Sequence, residues 1–166
     1  VIGRALPAFA CLALTAAPAA AQNVGSAYTD VDLQRCRILE LIEEGGSVAR
    51  RCPGLGRVAL FVNEGDGRFD VDAGVDNGRW ESLPGLNEIG GRIEWRLRGG
   101  RPFAIIYRLR ATATDQPPGS SLIVETIGRP GAPGCQIATI DGALPDANAR
   151  ARAIADRQAR THRCGP

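Results

Sequence analysis

The chain has 166 residues, a formal net charge of +2 and 44% hydrophobic residues, the profile of one ordinary globular domain with enough apolar material for a core. A charge this near zero leaves no footprint for nucleic acid or an anionic membrane surface, and no 20-residue apolar run crosses the body of the sequence, which excludes a multispanning helical membrane protein. The 21 glycines and 11 prolines fall short of the roughly 25–30% that marks a low-complexity chain.

At the start, Arg4 precedes the short apolar run Ala5–Ala17, and small residues then lead to Ala19-Ala20-Ala21-Gln22. A basic flank, a short apolar stretch and small residues before a cut describe a secretory signal over residues 1–21, with residues 22–166 as one globular domain. Cys11 sits inside this signal as a passenger. All 20 basic residues are arginine and methionine is absent. A GC-rich genome accounts for this bias more simply than selection for arginine chemistry, and Val1 reads as a GTG start or a truncation.

Residues 22–33 are polar and read as a loosely attached lead-in. Cys36–Ile42 predicts a strand, Glu43–Ser47 a turn and Val48–Cys52 a returning strand. Val58–Val62 is an apolar strand, and Gly65-Asp66-Gly67 turns it into Arg68–Asp72. There Phe69 and Val71 alternate with Arg68, Asp70 and Asp72, the period of a half-buried strand with its charges in solvent. Residues 74–90 make the longest loop. In Arg92–Arg98, Ile93, Trp95 and Leu97 share one face, and Arg92, Glu94, Arg96 and Arg98 the other. Pro102–Thr114 forms the partner strand. A three-residue loop, Gly99-Gly100-Arg101, pairs Leu97 with Phe103, Trp95 with Ile105 and Ile93 with Tyr107, so that apolar faces meet. It also sets Arg92 opposite Arg108. Leu122–Ile127 and Cys135–Ile140 are further strands. Pro145 opens a helix to about Thr161, whose apolar stripe is Ala147, Ala151, Ile154, Ala155 and Gln158. The expected class is α+β: a mainly antiparallel sheet of about six to eight strands closed by one C-terminal helix.

Without Cys11 four cysteines remain, and an exported chain would carry them as two disulfides. Three connectivities are open. The local pairings Cys36–Cys52 and Cys135–Cys164 are preferred because each brackets one structural unit, a hairpin or a strand with its returning helix. No Cys-x-x-Cys pair exists and His162 is the one histidine, so neither a zinc site nor any other metal or cofactor is expected.

Three clusters invite chemistry. Asp70, Asp72, Asp76 and Glu81 occupy four positions of a calcium loop, but Gly74 and Val75 stand where such a loop needs Asp or Asn and then Gly; a solvated acidic strand end is the expectation. Glu64, Asp66 and Glu94 could furnish paired carboxylates for glycosidic hydrolysis. Arg92, Glu94, Arg96 and Arg108, with Trp95 or Trp80 near them, form a candidate anion- or polysaccharide-binding face. Nucleophilic catalysis is disfavoured: no Gly-x-Ser-x-Gly occurs, and His162 sits at the chain end.

The segments Ile93-Glu-Trp-Arg96, Pro102-Phe-Ala104, Pro145-Asp-Ala-Asn148 and Glu64-Gly-Asp66-Gly-Arg68 resemble small secreted proteins of GC-rich Gram-negative bacteria, an uncharacterised family. The resemblance implies export and two disulfides and brings no catalytic residues. The expectation is therefore a periplasmic or secreted domain that binds an unknown protein or an envelope glycan without catalysis, with an envelope hydrolase using Glu64, Asp66 or Glu94 as the alternative.

Overall fold

The computed structural model describes residues 23–113 and 118–165; the expected signal over residues 1–21 lies outside them. The elements are β1 (Val24–Asp30), β2 (Arg37–Ile42), β3 (Ser47–Leu55), β4 (Val58–Gly65), β5 (Arg68–Ala73), β6 (Asn87–Arg98), β7 (Arg101–Ala111), β8 (Ser120–Thr126), β9 (Gln136–Asp141) and α1 (Ala147–Gln158), with a 3-10 turn at Leu33–Arg35. The strands form two antiparallel sheets, one in the order β1-β6-β7-β8-β9 and one in the order β2-β3-β4-β5. The class is the expected α+β, with nine strands among the described residues rather than six to eight.

Alternation along the central strands builds three layers. Ile93, Trp95, Ile105, Tyr107, Leu109 and Ile123 point from the five-stranded sheet toward Leu60, Val62, Val71 and Ala73 of the other sheet. Their neighbours of opposite parity, Ala104, Ile106, Leu122 and Val124, point the other way, against α1. Adjacent apolar residues such as Ile105 and Ile106 are thus both buried, because this sheet is covered on both faces. On the helix Ala147, Ala151, Ala155 and Ala159 meet the sheet. Side chains of one carbon let the helix axis come close, and Ile154 packs at the margin of the same cluster.

Both preferred disulfides are present. Cys36–Cys52 staples the β2–β3 hairpin, and Cys135–Cys164, with α-carbons 5.7 Å apart, ties the chain beyond α1 to the entry of β9. Gly54, just past Cys52, carries no side chain for a packing reason. A β-carbon there would lie 2.2 Å from the Val58 carbonyl oxygen and 3.0 Å from the Trp95 ring.

Three expectations need correction. Residues 24–30 are not a loose lead-in but strand β1, in register with β6 from Val24↔Arg98 to Asp30↔Arg92. Its Thr29 hydroxyl accepts the buried Trp95 indole N–H at 2.8 Å. β6 begins at Asn87, which shortens the long loop. The β6–β7 hairpin pairs Ile93 with Tyr107 and Trp95 with Ile105 as expected, but its loop is the two residues Gly99-Gly100. Both have positive φ, 55° and 76°, as a tight hairpin turn of this kind demands. Arg98 then pairs with Arg101 and Leu97 with Pro102, and a register shift between Arg96 and Leu97 restores the face-to-face pairing. A bulge, not a longer loop, supplies the odd residue.

Candidate functional site

The arginine face lies on the side of the five-stranded sheet that α1 covers. Glu94 and Arg96 are buried, at 7% and 6% exposure. Arg96 makes a two-pronged ion pair with Asp156 of the helix at 2.7 and 2.9 Å. Arg152, one helical turn earlier, clasps Glu94 in the same way at 2.7 and 3.1 Å, and Ser26 of β1 hydrogen-bonds to both Glu94 and Arg96. The Glu94 hydrogen bond raises the Arg152 pKa still further. The charges expected to meet a ligand thus dock the helix.

Arg92 reaches Asp30 at 3.5 Å and is largely exposed, while Arg108 donates to the Ser120 hydroxyl at 2.6 Å. A register shift between Ile89 and Ile93 removes the direct pairing of Arg92 with Arg108. The structure nevertheless brings Arg92, Glu94 and Arg108 to one small cavity of about 220 Å³, beside Tyr28 and Arg110. Trp95 is not part of it. It points into the core between the sheets and is wholly buried.

The carboxylates of the hydrolase alternative do not converge. Glu94 is held in the layer between sheet and helix. Glu64 pairs with Arg50 of the other sheet at 2.7 Å, and Asp66, in the β4–β5 turn, leaves 82% of its side chain in solvent.

Asp70 and Asp72 overturn a further expectation. They are buried, at 3% and 0% exposure, and so is Glu125 of β8 at 3%. Residues 74–82 fold back over β5, and their backbone supplies the donors. The Asp70 Oδ1 accepts from the N–H groups of Glu81 and Ser82 at 3.2 and 3.0 Å, and the Asp72 Oδ2 accepts from Asn77 N–H at 3.2 Å. Glu81 in turn accepts from the Gln136 N–H at 2.9 Å, which fastens the loop to β9. Burial, only partly offset by these donors, pushes Asp70 up to about 6 and Asp72 up to about 8. Burial also holds Glu125 well above the usual carboxyl range, with the charges of Asp72 and Asp70 adding to it.

Glu125 hydrogen-bonds to Asp72, and neither Asp72 Oδ1 nor Glu125 Oε1 has an N–H or hydroxyl donor beside it. Two carboxyls in that position share a proton between them. Among the described residues no group of three or more His, Cys, Asp or Glu side chains is arranged to hold a metal ion. The calcium-loop residues spend their oxygens on backbone instead: Asp76 Oδ1 caps Gly78 N–H at 2.8 Å.

A surface that sequence reasoning did not single out lies at the far edge of the four-stranded sheet. All six residues of β2 are exposed, among them Ile38 at 57%, Leu39 at 44%, Leu41 at 53% and Ile42 at 49%. β2 ends its sheet, with β3 on one side and, among the described residues, no strand on the other. Ile42 also lines a groove of about 290 Å³ with Val48, Glu64, Arg79 and Trp80; Trp80 is 48% exposed and carries the Arg68 guanidinium 5.6 Å from its ring centre.

Among the described residues no helix is long and apolar enough to cross a membrane, and two disulfides are consistent with an extracellular or periplasmic protein. No protein-family model, no curated protein and no solved structure matches the chain.

Proposed function

We propose that this is an exported interaction domain without catalysis of its own, which binds a protein partner across the β2 edge and the adjoining Trp80 groove. The observation that carries this reading is β2 itself. Large apolar side chains are normally the first to be buried, and contiguous exposed apolar surface marks an interaction site. Here four of them stand in solvent on one six-residue strand whose outer edge pairs with no strand among the described residues. The paired cysteines support export.

An envelope glycan is the other ligand class this surface would suit, because Trp80 offers a flat ring beside Glu64 and Arg79. The four aliphatic side chains of β2 favour protein. The test is capture from periplasmic extract with the oxidised protein as bait, run beside Leu41→Lys and Trp80→Ala. A protein retained by the wild type and lost with Leu41→Lys supports the reading. Retention of soluble envelope polysaccharide, lost with Trp80→Ala, moves it to the glycan. Equal retention by all three baits, or none by any, overturns it.

A further inference from the structure

We infer that the cavity beside the β6 bulge is an anion site that takes a phosphate group, free or as an ester, on the guanidiniums of Arg92, Arg108 and Arg110. It lies on the five-stranded sheet and does not depend on the reading of β2.

The backbone builds the cavity. Between the pairs Ile89↔Leu109 and Ile93↔Tyr107 the ladder skips, so Gly90, Gly91 and Arg92 stand against Arg108 alone. Bulges of this kind re-aim side chains and gather next to functional sites. The Gly91 carbonyl accepts the Val31 N–H at 3.0 Å, which fixes the bulge to the chain beyond β1. Gly90 is buried, and a β-carbon there would lie 3.2 Å from the Arg108 carbonyl oxygen and 3.6 Å from an Arg110 guanidinium nitrogen. A bare backbone thus lets the Arg110 head group lie against the bulge. Ile106 and Leu122, both buried, back the cavity, so charge at its inner end is less screened than on the open surface.

The charge balance points to an anion. Arg96 and Arg152 each hold a carboxylate at 2.7 Å, and the three cavity arginines have no such partner among the described residues. Arg92 meets Asp30 only at 3.5 Å and Arg110 meets Glu88 only at 4.0 Å, with both pairs exposed, where ion pairs hold little. Arg108 donates to a neutral hydroxyl. Glu94 is the one carboxylate lining the cavity, and its oxygens are spent on Arg152 and Ser26. One planar guanidinium fork satisfies the two oxygens of a carboxylate. Three guanidiniums from separate positions match a phosphate better, with its added oxygens and its charge approaching two. At about 220 Å³ the cavity falls below the roughly 300–1,000 Å³ of pockets for drug-sized ligands, room for an anionic head group rather than a sugar chain.

Calorimetric titration of the purified oxidised protein, in a chloride buffer free of phosphate and sulfate, tests this with inorganic phosphate, glycerol 3-phosphate and succinate. One of the two phosphates should bind more tightly than succinate, and the tighter of them tells a free anion from an ester. Arg92→Gln and Arg110→Gln, both exposed substitutions, should each weaken that binding by about tenfold, the worth of one charge-assisted hydrogen bond. Arg157→Gln removes an exposed arginine of α1 that does not line the cavity and should leave the affinity unchanged. Circular dichroism confirms that each variant is folded. No heat of binding at about 10 mM of either phosphate, succinate bound as tightly, or equal weakening by Arg157→Gln each overturns the inference.

Discussion

The buried carboxyls make stability fall as pH rises, and Glu125→Gln isolates one proton of that effect. An acid whose pKa is raised in the folded protein holds its proton where the unfolded chain has lost it. Its contribution is fully present below the unfolded value, near pH 4, and disappears as pH climbs through the folded value. For Asp72, pushed up to about 8, the window is pH 4 to 8. For Asp70, at about 6, it closes sooner. Each proton retained by the native state tilts stability by about 1.4 kcal/mol per pH unit. Across its window Asp72 alone forfeits on the order of 5 kcal/mol, a large part of the roughly 5–15 kcal/mol a domain has. Glutamine replaces a protonated Glu125 almost atom for atom, keeps a donor toward Asp72 and cannot ionise. Urea unfolding at intervals from pH 4.5 to 8.5 should therefore show a wild-type midpoint that drops steadily. The Glu125→Gln slope should be shallower by about 1.4 kcal/mol per pH unit in the range where the unfolded glutamate ionises and the native one does not. A wild-type stability that is flat or rises between pH 5 and 8, or a variant with the parental slope, would refute a proton shared in this cluster.

Other predictions concern the helix and the core. Cys164→Ser removes the tie beyond α1 and should cost about 2–5 kcal/mol; hydrogen exchange followed by mass spectrometry should show residues 147–158 exchanging faster before the sheets do. Glu94→Ala leaves Arg152 unpaired and takes from buried Arg96 one of its two carboxylates, with an expected loss of about 3–5 kcal/mol in chemical denaturation. Arg152→Ala, whose side chain is 40% exposed, should cost nearer 1 kcal/mol because Ser26 and Arg96 still serve Glu94. Gly54→Ala drives a methyl into the Val58 carbonyl and the Trp95 ring and should destabilise by about 1–3 kcal/mol or more, with a changed near-ultraviolet circular dichroism band from Trp95.

Much of the fold was legible because it is written in local patterns. Period-2 alternation located β5, β6 and β7, short runs bounded by turn residues located β2, β3, β4, β8 and β9, Pro145 and the spaced alanines located α1, and proximity along the chain decided both disulfides. β1 escaped because Gly25, Ser26 and Thr29 give it no apolar face, and its place is set by pairing with the distant β6, from Val24↔Arg98 to Asp30↔Arg92. The Gly99-Gly100 tip was misread because an odd residue can enter a hairpin through the loop or through a bulge, and alternation alone does not distinguish them.

The candidate site was hardly legible, and strands β2 and β5 show why. β2 is rich in isoleucine and leucine at both parities, a composition that ordinarily means a strand buried on both faces, yet every residue of it is exposed. β5 alternates charged with apolar residues, which ordinarily means one wet face, yet Asp70 and Asp72 are both buried. In each case alternation reports which residues share a face, and what covers that face is decided elsewhere in the chain. Residues 74–82 cover β5, at the cost of burying two carboxylates that their backbone N–H groups then stabilise. Nothing among the described residues covers β2. A native sequence does not leave aliphatic side chains on an open edge without consequence, since such an edge invites pairing with another chain.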